Sequence, residues 1–247
     1  MGDGEPVELA TATEDVVLRP VTGRNPFEEA VERIVQAIKL GAVRTGERLP
    51  PERELATRLG VSRVTLRSVI RALQQAGYVE SRRGRAGGSF VTWQPRPPDD
   101  EDARAIAVGM GDDLRDALRF RSVLEPAASA FAASAALSPQ QRALLAARLD
   151  ETSAASLEDY RLADSRLHLA IAELAGSPSL AAAVADVRVR LNDLLRAIPL
   201  LSEAVAHSNE QHHRIVGAIL RADPVTARSA MEEHLSATAA LLAGFLG

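Results

Sequence analysis

Nine residues in the first half of the chain set the firmest limit on its fold. Gln94-Pro95-Arg96-Pro97-Pro98-Asp99-Asp100-Glu101-Asp102 carries three prolines and then four acids. Proline lacks a backbone N–H and clashes with the preceding helical turn, so this stretch is neither a helix nor a central strand. It reads as a linker over residues 94–102. On its N-terminal side lie helix signals followed by a hairpin signal. On its C-terminal side strand signals vanish, and alanine-rich helical runs fill residues 103–247. A chain of 247 residues is long enough for two such domains.

The charge divides at the same place. Asn25 to Trp93 hold 12 basic and 7 acidic side chains, a net of +5, so the remainder carries −9 within a total of −4. That asymmetry points to a basic module that meets a polyanion, fused to an acidic module with another task. The chain has no cysteine, which excludes disulfides, cysteine nucleophiles, zinc fingers and iron–sulfur clusters. Aromatic residues are only 3% of the chain, so stacking platforms for single-stranded nucleic acid are not expected. No apolar run approaches the roughly 18–20 residues of a membrane span, and no signal-peptide core follows Met1. A cytoplasmic protein without a membrane partner is the expectation.

Residues 1–24 are polar and without apolar period, and read as a flexible arm. The expected DNA-binding domain spans 25–93. Asn25-Pro26 opens a helix with Ala30, Ile34, Ala37 and Ile38 on one face. Pro51 opens a second short helix, stopped by Gly60, and Ser62 caps a third with Leu66, Val69, Ile70 and Leu73 inward. Strands are expected at Tyr78–Ser81 and Ser89–Trp93, around the basic, glycine-rich tip Arg82-Arg83-Gly84-Arg85-Ala86-Gly87-Gly88. Together these elements make a winged helix-turn-helix. Ser62, Arg63, Thr65 and Arg67 lie at the start of the third helix, whose N–H groups and dipole suit a phosphate. Arg63 and Arg67 share a face, as a helix lying in a major groove requires. Arg53, on the preceding helix, fits a backbone contact better than base readout. Any one arginine alone reads as a solvated surface residue. Arg53, Arg63, Arg67, Arg82, Arg83 and Arg85 on these elements together do not.

Beyond the linker, helices are expected near 112–136, 139–156, 157–175, 178–198, 200–221 and 224–245, punctuated by Ser138-Pro139, Gly176-Ser177-Pro178, Pro199 and Asp223-Pro224. A further short helix near 102–109 is compatible with the pattern. The expected fold class is mainly α: a winged helix-turn-helix plus an all-α antiparallel bundle of six or seven helices.

Two pairs of side chains in this half stand out by their spacing. Asp164 and His168 are one turn apart on a helix, and such a carboxylate–imidazole pair can chelate a divalent metal. His212 and His234 each lie 11 residues from Asp223, on opposite arms of a helical hairpin, so both rings can reach one height in the bundle. Surface or hydrogen-bonded core histidines remain the alternative. His207 and His213 fit it, since His213 is turned about 100° from His212.

At this point the chain resembles the GntR family of transcriptional regulators. Gly46-Glu47-Arg48-Leu49-Pro50-Pro51-Glu52-Arg53-Glu54-Leu55-Ala56, Leu59-Gly60-Val61-Ser62-Arg63-Val64-Thr65-Leu66-Arg67, Gly77-Tyr78-Val79 and Gly88-Ser89-Phe90-Val91 carry the resemblance. It implies a homodimeric repressor or activator, associated with the nucleoid, that binds a near-palindromic double-stranded operator. Arg53, Arg63, Thr65 and Arg67 would touch DNA, and Gly84 would approach the minor groove; Arg83 precedes that glycine. The C-terminal half resembles the FCD ligand-binding domain of the FadR subfamily. Asp164-Ser165-Arg166-Leu167-His168, His212-His213-Arg214-Ile215-Val216-Gly217-Ala218, Asp223, Ala227, Met231 and His234-Leu235 match it. The resemblance implies that Asp164, His168, His212 and His234 ligate a metal. It also implies that Arg121 helps bind the carboxylate of an organic-acid effector; an ion pair with Glu125 is the alternative. Gly176-Ser177 stands where the family often has Gly-Asn, a change in pocket hydrogen bonding or only in a helix cap. Zinc is the first choice of metal, with nickel and manganese compatible with the same ligands.

A metal-dependent hydrolase using the Asp-His₃ set is the other functional class. It would need a general base at the open metal position. The nearest acid, Glu173, is five residues from His168 and off that face, and no HExxH motif, phosphate loop or Ser-His-Asp ordering occurs. The chain is therefore not expected to be an enzyme. A metal that only stabilises the bundle is compatible with DNA binding.

Overall fold

The computed structural model describes residues 14, 17–21, 25–84, 87–94, 111–195 and 200–246. Most of the expected arm, the wing-tip pair Arg85-Ala86, nearly all of the linker, the short helix near 102–109 and Pro199 lie outside the described residues. The chain forms two compact units, Met1–Pro95 and Arg96–Gly247.

In the first unit, α1 (Pro26–Lys39), α2 (Glu52–Leu59) and α3 (Arg63–Gln75) precede a hairpin of β1 (Val79–Arg82) and β2 (Gly88–Val91). Local chemistry sets the boundaries. Asn25 Oδ1 accepts the Glu28 N–H at 3.4 Å and Ser62 Oγ accepts the Thr65 N–H at 3.0 Å. Gly60 ends α2 at φ 64°, a left-handed value that favours glycine, and so turns the chain into α3. The inward faces are the expected ones: Ala30, Ile34, Ala37 and Ile38 of α1, Leu55 and Leu59 of α2, and Leu66, Val69, Ile70 and Leu73 of α3 are all buried. The strands pair antiparallel, with Val79 opposite Val91 and Arg82 opposite Gly88. The wing has a third partner that periodicity did not mark. Val91 N–H donates to Glu47 O, and Leu49 N–H to Ser89 O, so residues 46–49 run along the free edge of β2.

The second unit holds six helices among the described residues: α4 (Gly111–Ser134), α5 (Pro139–Ala154), α6 (Tyr160–Leu174), α7 (Pro178–Leu195), α8 (Ser202–Leu220) and α9 (Pro224–Leu246). A capping box of Ser138 and Gln141 starts α5. The expected start of α6 at 157 moves to 160. Ser156 Oγ accepts the Asp159 N–H at 3.2 Å and donates to Asp159 Oδ2 at 2.8 Å, and these local bonds favour a turn over a helical one. The core joins Leu145 and Leu149 of α5, Leu167 and Ile171 of α6, Ile215 and Ile219 of α8, and Met231 and Leu235 of α9. Helix α6 is covered on nearly every side, so His168 and Arg166 are buried with Leu167 and Leu169. A polar side chain on such a helix needs a partner from another helix. No helix among the described residues is long and apolar enough to cross a membrane.

Candidate metal centre and nucleic-acid interface

The outer face of α3 is arginine-rich. Arg63 and Arg67 are exposed while Leu66 between them is buried. Arg67 Nε donates to Glu52 Oε2 of α2 at 3.1 Å, which ties the two helices at this surface. Ser62 commits its hydroxyl to the cap and lies 2.8 Å from Thr65 Oγ1. Arg53 is exposed on α2, with no carboxylate partner among the described residues. In the wing, Arg82 stacks 4.4 Å over the Phe90 ring and pairs with Glu80 at 2.5 Å. Arg83 is exposed beside Gly84, whose φ is 108°. An added Cβ on nearby Gly87 would come within 2.5 Å of the Arg82 carbonyl, so only glycine fits there. Val64, 77% exposed on α3, also belongs to this surface and was missed by a search for charge.

In the second unit α6, α8 and α9 bring Asp164, His168, His212 and His234 together, with one ligating atom of each within 4.8 Å of the others. His212 Nε2 lies 3.3 Å from both His168 Nε2 and Asp164 Oδ1, and Asp164 Oδ1 is 3.6 Å from His168 Nε2. The three histidines are buried. His207 and His213 are exposed, as expected.

Groups behind these four fix their orientation, and sequence reasoning missed three of them. His168 Nδ1 bonds Glu125 Oε2 of α4, and His234 Nδ1 lies 3.0 Å from Gln211 Oε1. A carboxylate or amide oxygen accepts from Nδ1–H, which leaves the Nε2 lone pair facing the cluster. Arg188 of α7 bonds Asp164 Oδ2, and its Nη1 is 3.7 Å from Glu125 Oε1. The Arg121–Glu125 pair exists, with Nε donating to Oε1 at 2.7 Å, and both side chains are buried. Arg121 also lines the adjoining cavity, so the pair and a role toward a ligand are compatible.

Electrostatics follow from burial. Burial alone would raise the Asp164 carboxyl, but Arg188 and His168 beside it hold it well below the usual range. Glu125 is likewise held low against burial, chiefly by Arg121. Burial and then Arg188 push His168 down to about 4, and burial with His212 and His168 lowers His234 well below the ordinary imidazole. At neutral pH these two rings are uncharged and able to ligate. Two carboxylates face two guanidiniums, so the cluster's charged residues cancel.

These residues fit a divalent cation. Three potential ligating atoms converge at 3.3–3.6 Å, with a fourth from His234 within reach of the same point. His212 Nδ1 is buried with no hydrogen-bond partner among the described residues, and its Nε2 is the nitrogen that faces the cluster. An all-nitrogen-and-oxygen set suits zinc, nickel or manganese.

A cavity of about 110 Å³ adjoins the cluster, with Asp164, His234, Arg121, Arg188 and Tyr160 in its wall. Ser177 is not part of it. Its Oγ accepts the Leu180 N–H at 3.3 Å, so the departure at this position is a helix cap.

Comparison with known proteins agrees with both halves. Residues 26–91 match the model for bacterial regulatory proteins of the gntR family, and residues 116–237 match the FCD domain. The chain is 34% identical over 216 residues to RmpR of Mycobacterium gastri, provisionally named an HTH-type transcriptional regulator, covering 83% of this chain and 76% of that one. It is 30% identical over 234 residues to a protein of Escherichia coli (strain K12) provisionally named the L-lactate dehydrogenase operon regulatory protein, covering 87% and 86%. The solved structure of E. coli McbR/YncC superposes with a TM-score of 0.52 at 21% identity, covering 91% of this chain and all of that one, and shares the fold.

Proposed function

As a member of the GntR family of bacterial regulatory proteins with an FCD domain, the chain is a DNA-binding transcriptional regulator, and we propose that a small carboxylate held beside a divalent metal sets its affinity for operator DNA. The single observation that carries this reading is the convergence of Asp164, His168, His212 and His234 on one point, next to a cavity lined by the guanidinium-bearing side chains of Arg121, Arg161 and Arg188. Zinc fits the four ligands best, with nickel or manganese as alternatives. The bound ion supplies positive charge and open coordination positions to an anion. Arg121 and Arg188 supply the matching cationic wall. The E. coli relative named for an L-lactate dehydrogenase operon supports an acid as the signal.

Residues 25–93 form the DNA-binding domain and residues 103–247 the effector domain, with 94–102 between them. Two chains pair and present two α3 helices to the half-sites of a near-palindromic duplex in the cytoplasm. Arg63 and Arg67 reach base edges or phosphates, Thr65 and the Ser62-capped start of α3 approach a phosphate, and Arg53 takes a backbone contact. Arg83 and Gly84 approach the neighbouring minor groove. Val64 offers an apolar contact to a thymine methyl group. The carboxylate acts by preferring one placement of the two α3 helices, because a ligand equally content with both would shift nothing.

Fluorescence anisotropy on a duplex selected from random sequence tests the DNA-binding assignment. Arg63→Ala and Arg67→Ala are each expected to weaken Kd by roughly 5- to 150-fold and to relax preference at one base position. Affinity unchanged in both variants would overturn the assignment of α3.

A further inference from the structure

The cavity beside the acid–histidine cluster has two unlike walls. The ionic wall contains Asp164, His234, Arg121 and Arg188. Arg161 adds a further cation, and most of the remaining lining is hydrocarbon: Leu191 and Leu195 of α7, Leu200 and Leu201 before α8, Val205 of α8 and Leu241 of α9. Leu201 and Leu241 are 45% and 39% exposed, so apolar surface here is still available for covering. Thr238 donates to His234 O at 3.0 Å and Asn192 donates to Ser165 Oγ at 2.8 Å. Two polar groups among the lining are buried with unused capacity among the described residues: the Tyr160 hydroxyl, and Nε and Nη1 of Arg188, a side chain 1% exposed.

A ligand that fits must satisfy both walls. Its head meets guanidinium and metal, so it is anionic. Its remainder meets leucine and valine, where each buried hydroxyl without a partner is costly and each methylene is favoured. Size bounds it as well. An apolar cavity of about 150 Å³ takes benzene, so one of about 110 Å³ that also holds the carboxylate takes only a short tail, on the order of one to three carbons. We propose that the effector is a monocarboxylic acid with a short, unsubstituted hydrocarbon tail, not a polyhydroxylated sugar acid. This rests on the carboxylate-effector reading above and narrows it to a chemical class.

Isothermal titration of the metal-loaded, full-length protein with acetate, propionate, butyrate, valerate, hexanoate and octanoate tests the class, with lactate and gluconate as hydroxylated counterparts. Kd should fall about fourfold per added methylene until the chamber is full and rise beyond that. Gluconate, hydroxylated along its whole tail, should bind at least roughly tenfold more weakly than the best alkanoate, since hydroxyls placed against leucine and valine lose water without gaining partners. Ala204→Phe fills the hydrocarbon end from a half-buried position. It should abolish the dependence on chain length while leaving the metal content unchanged. Tighter binding of gluconate than of any alkanoate, or a Kd independent of chain length, would overturn the class and leave the carboxylate reading standing. Binding of no acid of either kind would overturn both.

Discussion

Arg188→Ala is expected to destabilise the helical unit by about 3–5 kcal/mol and to lower its Tm by roughly 6–20 °C. Arg188 is 1% exposed and stands against both Asp164 and Glu125. Removing it leaves two buried carboxylates facing one guanidinium, Arg121, and an uncompensated buried charge costs far more than an exposed pair contributes. The pH dependence has a definite sign. Asp164 is held well below its ordinary value in the folded protein, so its ionised form contributes stability above about pH 4 that is lost as pH falls through the folded value. Without Arg188 that contribution shrinks. The gap between variant and wild type, followed by circular dichroism, should therefore hold from pH 7.5 to about pH 4 and narrow as pH falls below that. A Tm within about 2 °C of wild type at pH 7.5 would show that Arg188 does not hold the cluster together.

His212→Ala is expected to release the metal. His212 Nε2 is equally close to His168 and Asp164, so its loss opens the middle of the set rather than an edge. Elemental analysis of the purified wild type should find about one divalent ion per chain, and of the variant almost none. An ion present at about 100 times its Kd stabilises the folded state by about 2.7 kcal/mol, so the variant should melt roughly 5–11 °C lower. A chelator should impose the same shift on the wild type and none on the variant. An ion retained in His212→Ala would remove this residue from the ligand set.

Much of the fold was legible because local chemistry marks its boundaries. Asn25-Pro26, Gly60 and Ser62 delimit the helix-turn-helix, and Ser138-Pro139 and Asp223-Pro224 delimit bundle helices. Spacing marked the four clustered residues as two pairs, Asp164 with His168 one turn apart and His212 with His234 equidistant from the α8–α9 turn, and the resemblance to the FCD domain joined the pairs into one set. The bond of Glu125 to His168, and the parts played by Arg188 and Gln211, were not read, because they act across helices, 43, 24 and 23 residues from their partners. A signal was nevertheless present. Arg188 lies on the stripe Ala181, Val184, Ala185, Leu191 and Leu195 of α7, all buried. Arg121 and Glu125 share the inward face of α4 with Leu114, Ala117, Ala128 and Ala132. A charge on an apolar stripe must find an opposite charge inside, and that rule would have selected Arg188 and Glu125, though not the uncharged Gln211. The edge pairing of residues 46–49 with β2 stayed hidden because a segment this short has too few residues for alternation to show.

The account's central claim is that a metal-dependent acid site governs DNA binding by a separate arginine-bearing helix. The most direct measurement is Kd for the selected duplex in four conditions: with and without the best-binding alkanoate, each before and after chelation. The account predicts that the acid shifts Kd by at least roughly fivefold in the metal-loaded protein and not at all once the metal is removed or in His212→Ala. A Kd that ignores the acid in every condition, or one that shifts equally with and without metal, would contradict it.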